Sequence, residues 1–152
     1  MIHSARRQPH MIYLSEIIVP IARKLGHESD TEQVLKWVEA LLYTIGRTLP
    51  FSKAVRFFTA LPTPLQALMV DQWEVDQFLP PAINSLPDLV DEITSANPAL
   101  FGNVESREAL AKDVFFATMV VIAHHVTPDA MEQVISIFPE DAQERIHAAI
   151  IS

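Results

Sequence analysis

The chain has 152 residues, 49% hydrophobic and 20% charged, the proportions of a folded globular protein rather than a disordered one. It has no cysteine, which excludes disulfides, thiolate catalysis and cysteine-ligated metals. Its formal net charge of −8 argues against nucleic acid as a partner, because binding to phosphates depends on clustered lysine and arginine.

The N-terminal segment is not expected to be a signal peptide. Residues 1–13 show no sustained period and are predicted to form an arm before the first helix. They lack the apolar stretch of a signal peptide. The most apolar run, residues 114–123, is shorter than the roughly 18 residues that a membrane helix needs. We therefore expect a cytoplasmic protein with no membrane partner.

Two helices are predicted at the start of the folded part. The first begins at Leu14 and ends at Gly26, a natural C-cap. A longer helix follows, with Ser29 and Glu32 as a capping-box pair and Pro50 at its end. Its apolar stripe consists of Val34, Val38, Leu41, Leu42, Ile45 and Leu49. A single stripe of this kind predicts a helix with one face in the core.

Two shorter helices complete the first helical unit, which we place at residues 14–73. Ser52 is predicted to cap the first of them. Thr63-Pro64 supplies an N-cap and a first-turn proline for the second, which runs to about Trp73. Residues 74–86 are then predicted to be a linker, because two consecutive prolines interrupt the helical pattern.

The same order of helices recurs in residues 87–152. Ser85 starts a first helix, and Ser106 leads into a long one. Thr127-Pro128 repeats the N-cap and proline device, and a last helix begins near Glu140. The stripe of the long helix consists of Leu110, Val114, Phe115, Met119, Ile122 and Val126.

The recurrence extends to single residues. When the chain is shifted along itself by about 77 residues, residues 29–69 fall on residues 106–146 without a gap. Leu61-Pro62 then falls on Phe138-Pro139. This pattern predicts an all-α fold of two tandem repeats of about four helices each, related by a pseudo-two-fold axis and sharing one core. The two long helices are expected at its centre.

The two-copy pattern also resembles a known family. It combines a long amphipathic helix, a short helix that ends in Leu-Pro, and a helix that closes near Trp73, and the order occurs twice. The residues that carry it are Ala60-Leu61-Pro62, Leu65, Leu68 and Trp73, with Ile137-Phe138-Pro139 and Ile146 in the second copy. Over residues 15–147 the chain resembles a DUF2267-like family of bacterial, duplicated, all-helical domains of unknown function. The resemblance implies the fold and a bacterial source, and supplies no reaction, cofactor or catalytic residue.

Two adjacent histidines, His124 and His125, lie near the end of the second long helix. Neighbouring positions diverge by about 100° around a helix, whereas zinc-binding helices place their ligands three or four residues apart. Histidine near a helix C-terminus also interacts favourably with the helix dipole. We expect a helix-end role, with metal binding and catalysis as alternatives. No catalytic residue, metal ligand or cofactor is predicted anywhere in the chain.

Phe116 is the third candidate residue. One ring of the Phe115-Phe116 pair should face the core, while the other could pack inside the chain, contact another copy or line a ligand pocket. Further apolar residues beside the principal stripe are Phe116, Val120, Val121 and Ala123. A helix that is apolar on every side must be covered on every side. We therefore predict a homodimer through an isologous patch, and the sequence names no other protein partner.

Charge differs between the two halves. Residues 1–73 carry a net charge of +2 and residues 74–152 a net charge of −10. The difference can reflect unlike solvated faces, or a dipolar molecule that docks unlike halves together.

Three functions remain open at this level. An apolar surplus without clusters of polar residues favours a non-enzymatic interaction or structural module. The alternative is a small-ligand binding protein that uses a cleft between the two repeats. An enzyme would require a convergent group of histidines and carboxylates in one pocket.

Overall fold

The computed structural model describes residues 12–72, 82–103 and 105–152, and within these ranges the chain forms eight helices and no strand. The all-α prediction is confirmed. The helices are α1 Leu14–Leu25, α2 Thr31–Thr48, α3 Phe51–Ala60, α4 Thr63–Gln72, α5 Leu86–Ala96, α6 Arg107–His125, α7 Pro128–Ile135 and α8 Glu140–Ile151. The predicted arm up to residue 11, the predicted end of α4 at Trp73 and the predicted linker up to residue 81 lie outside the described residues.

Three of the predicted helix caps, one C-cap and two N-caps, are confirmed by the structure. Gly26 follows α1 in the left-handed conformation, with φ 73°, which glycine adopts at no steric cost. The hydroxyl of Ser85 accepts the backbone N–H of Asp88 at 3.3 Å and caps α5. The hydroxyl of Thr127 accepts the N–H of Ala130 at 3.1 Å and caps α7.

Other predicted caps are wrong by one or two residues. Asp30, not Ser29, caps α2, because its carboxylate lies next to the helix and accepts the N–H of Gln33 at 3.2 Å. Ser52 lies inside the first turn of α3, which begins directly after Pro50 and has no side-chain cap. Thr63 is likewise the first helical residue of α4 rather than its N-cap. In α3, the proline fixes the φ angle at the entry, so the helix can begin directly after it.

The two long helices lie at the centre of the described part of the molecule. Helix α2 packs against α1, α3, α4, α5 and α6, and α6 packs against α1, α2, α5, α7 and α8. The first helix of each half packs on the long helix of the other half: α1 packs on α6, and α5 packs on α2. The buried apolar residues consequently form one continuous core.

Three aromatic rings join α3, α6 and the segment before α8. The ring of Phe138 meets that of Phe115 edge to face at a centroid distance of 5.2 Å, and that of Phe57 at 6.1 Å. All three side chains are buried. Such pairs add about 0.5–1.5 kcal/mol each beyond the area they bury, so this cluster holds the Phe138-Pro139 corner against the centre.

Candidate functional site

A surface groove runs between the C-terminal end of α1 and the outer face of α6, and it contains Phe116. Its volume is about 480 Å³. It is lined by Lys24, Leu25, His27, Leu110, Asp113, Phe116, Ala117 and Val120. We call it the α1–α6 groove. The five α6 residues among these follow one another at intervals of three, three, one and three positions, so they share one side of the helix.

The groove exists because the rest of the molecule covers α6 only in part. Of the predicted stripe, Phe115, Met119 and Ile122 are fully buried, whereas Leu110 and Val126 at its two ends are half-buried. Val121, which was expected beside the stripe, is also buried, whereas Phe116, Val120 and Ala123 are half-buried. The apolar residues of α6 that are not fully buried therefore lie on one side of the helix.

Phe116 is held in place by two contacts. Its ring lies 5.1 Å from that of Phe115, at an interplanar angle of 75°. The guanidinium carbon of Arg145, on α8, lies 5.1 Å from its centroid, within the range of a cation–π interaction. These contacts fix the ring while leaving part of it open to the groove.

His124 continues the groove side of α6, and His125 does not. His124 is exposed and lies four residues beyond Val120 and eight beyond Phe116, on the same side of the helix. His125 is half-buried at the neighbouring position. Among the described residues, no group of three or more histidine, cysteine, aspartate or glutamate side chains could hold a metal ion. The structure thus brings two of the three candidate residues to one surface and leaves the third apart.

Opposite charges stand on the two walls of the groove, and no sequence motif marks them as a pair. Lys24 is exposed on the α1 wall and Asp113 on the α6 wall. Neither has an ion-pair partner in the described part of the chain. The only sequence signal was the i+3 spacing of Asp113 to Phe116, and nothing in the sequence places Lys24 opposite them.

A second cavity lies between the first and second halves of the chain, and we call it the Pro50–Pro139 cleft. Its volume is about 290 Å³. It is lined by Ile45, Thr48, Leu49, Pro50, Lys53, Ala82, Ile83, Leu89, Ile137, Phe138 and Pro139. Among the described residues of this lining, Lys53 is the one with an ionisable side chain. A usable sequence signal was the recurrence of an apolar residue followed by proline, in Leu49-Pro50 and Phe138-Pro139.

Comparison with known proteins supports the family and adds no activity. The family model of DUF2267, described as an uncharacterized conserved protein, matches residues 15–145. The search of curated proteins finds no match. Within the described ranges, no helix is both long enough and apolar enough to cross a membrane.

Proposed function

The chain belongs to the DUF2267 family of uncharacterised conserved proteins, and we propose that it is a non-enzymatic interaction module that pairs with a second copy of itself through the α1–α6 groove. The observation that carries the proposal is a half-buried apolar row on α6 with Lys24 on one wall and Asp113 on the other.

The apolar row supports a protein partner. Leu110, Phe116 and Val120 each remain partly accessible although the helix that bears them is central to the fold. Contiguous apolar surface with a polar rim is typical of protein contact sites. An open groove of this shape suits the side of another helix, and the same side of α6 in a second copy has the matching apolar row.

The two charges support a second copy of this chain rather than an unrelated partner. In a two-fold dimer the same patch meets itself, so each residue that contacts a second residue is contacted by it in return. With the axis through the groove, Lys24 of one protomer faces Asp113 of the other, and the pair occurs twice. Exposed pairs of this type contribute about 0.2–1 kcal/mol each and mainly fix the orientation.

Sedimentation of an α6 variant tests the apolar part of the proposal. Val120→Asp places a charge in the middle of the row and should convert the dimer to monomer at high micromolar concentration. Val55→Asp, at a half-buried position on α3 outside the groove, is the matched control and should leave the dimer intact. A thermal melt of both variants confirms that they are folded.

Charge reversal tests the pairing. Lys24→Asp and Asp113→Lys should each raise the dissociation constant about tenfold, because each places like charges in contact at two symmetric sites. The double variant should recover the affinity, and the wild-type dimer should weaken as salt is raised. Single variants with unchanged affinity would refute the Lys24–Asp113 pairing, and a wild-type monomer at low and high salt would refute the dimer.

A second candidate function is small-ligand binding, which the Pro50–Pro139 cleft favours. Cavities that hold small molecules are concave and mostly apolar, with a few polar groups that orient the ligand. The cleft has a buried apolar floor and a single charged residue at its edge. Thermal melts with a panel of metabolites and lipids test this function.

A further inference from the structure

We infer that the Pro50–Pro139 cleft binds a small amphiphile with one anionic head and a short apolar tail, and that Lys53 holds the head. The inference rests on the second proposed function, that this cleft takes a small ligand. It concerns the chemistry of that ligand.

The volume of the cleft and the apolar side chains at its floor indicate a short apolar tail for the ligand. A volume of about 290 Å³ lies at the lower limit of ligand pockets, which run from about 300 to 1,000 Å³. Ile45, Leu89, Ile137 and Phe138 are buried and form its floor. Such a floor stabilises an alkyl chain, and each methylene that becomes buried strengthens binding about fourfold.

The positive charge of Lys53 indicates that the head group of the ligand is anionic. Lys53 is exposed, and among the described residues it has no ion-pair partner and no carboxylate lines the cleft. Asp141, in the first turn of α8, bonds to the backbone rather than to Lys53, because both of its carboxylate oxygens accept the N–H of Leu86 at 3.0 Å. An ammonium group that is free in this way favours a negatively charged ligand.

The other polar groups of the cleft agree with an anion. The hydroxyl of Thr48 donates to the carbonyl of Ile45 at 3.0 Å, so its proton is used within α2. Lys53 is therefore the lining side chain with donors to offer. It lies in the first turn of α3, which has no side-chain cap, so the positive end of the helix dipole adds to its charge.

Calorimetry with three matched compounds tests the inference on the full chain. Octanoate has the head and the tail, octanol has the tail alone, and acetate has the head alone. We expect octanoate, below its micellar concentration, to bind about tenfold more tightly than octanol. Acetate should show no binding at the same concentrations.

Three variants assign the site. Lys53→Gln should weaken octanoate about tenfold and leave octanol unchanged, whereas Lys36→Gln, at an exposed lysine of α2 outside the cleft, should change neither. Ala82→Trp, at an exposed lining position, should block both compounds by filling the cleft. Circular dichroism verifies that each variant is folded.

The outcomes separate the two proposals. Equal binding of octanoate and octanol, with Lys53→Gln inert, would overturn the anionic ligand and keep the cleft as a ligand site. Binding that survives Ala82→Trp, or the absence of binding by both compounds, would overturn the inference and the second proposed function together.

Discussion

The two central helices occupy equivalent places but present different outer sides. On the 77-residue alignment, the groove residues Leu110, Asp113, Phe116 and Val120 of α6 correspond to Gln33, Lys36, Glu39 and Tyr43 of α2. The α2 side is polar, whereas the α6 side is mostly apolar. Most of each inner stripe is buried, whereas Leu49 at the end of the α2 stripe and Leu110 and Val126 at the ends of the α6 stripe are half-buried. If the chain is a duplication, the shared inner stripes maintain the fold and the divergent outer side of α6 is where a function specific to one half would arise.

The loops that precede the two central helices also differ, in length and in how much of each is buried. The loop between α1 and α2, residues 26–30, is fully exposed. The longer loop between α5 and α6 buries Phe101 completely, and the carbonyl of Leu100 accepts the indole N–H of Trp37 at 2.8 Å. The loop between α5 and α6 therefore packs against α2 and covers part of it. The first is too short to cover α6 in the same way, which leaves the α1–α6 groove open.

The largest expected effect concerns what the two helices share. Leu42 of α2 and Met119 of α6 are paired by the alignment and are both 0% exposed. Changing either to alanine should cost about 2–5 kcal/mol in the free energy of unfolding, because each leaves a cavity in a closed core. Denaturant melts measure this, with Val70→Ala, at an exposed position, as the control. Losses under about 0.5 kcal/mol at both sites would show that the proposed pairing misidentifies the core.

A smaller effect is expected where the loops differ. Trp37→Phe removes the hydrogen bond to Leu100 and leaves a partly buried carbonyl without its donor. The loss should be about 1–2 kcal/mol, with faster hydrogen exchange in residues 97–103. His27→Ala is the control: the exposed ring of His27 packs against Trp37, and its removal should leave the exchange of residues 97–103 unchanged. Unchanged exchange in Trp37→Phe would mean that the bond does not hold the loop.

The smallest expected effect concerns a polar group inside α6. The hydroxyl of Thr118 is buried and has no hydrogen-bond partner in the described part of the chain, whereas its counterpart in α2 is Leu41. Thr118→Val keeps the shape and removes the unsatisfied group, so it should stabilise the protein by about 1 kcal/mol. A denaturant melt in which Thr118→Val is less stable would indicate that the hydroxyl has a partner.

Much of the fold could be predicted from local signals. Gly26, Ser85 and Thr127 end or begin helices for reasons contained in a few neighbouring residues, and the inner stripes follow from helical period. The pseudo-two-fold relation remains a prediction, supported by the exchange in which α1 packs on α6 and α5 on α2.

The candidate site was less predictable because it depends on long-range packing. Phe116 and His124 were recognised from the sequence of α6, but the sequence placed Val121 with Phe116 beside the principal stripe, and only Val121 is buried. Which side of an all-apolar helix is covered depends on helices far away in sequence. The same holds for Lys24 and Lys53, since a lone lysine does not indicate which cavity it will border.

We propose that the apolar outer side of α6 joins two copies of the chain. Sedimentation equilibrium at high micromolar concentration, on the wild type and on a variant that takes the α2 residues at this side, Phe116→Glu with Val120→Tyr, tests it most directly. We expect a dimeric wild type and a folded, monomeric variant. A monomeric wild type, or a variant that dimerises as well as the wild type, would contradict it.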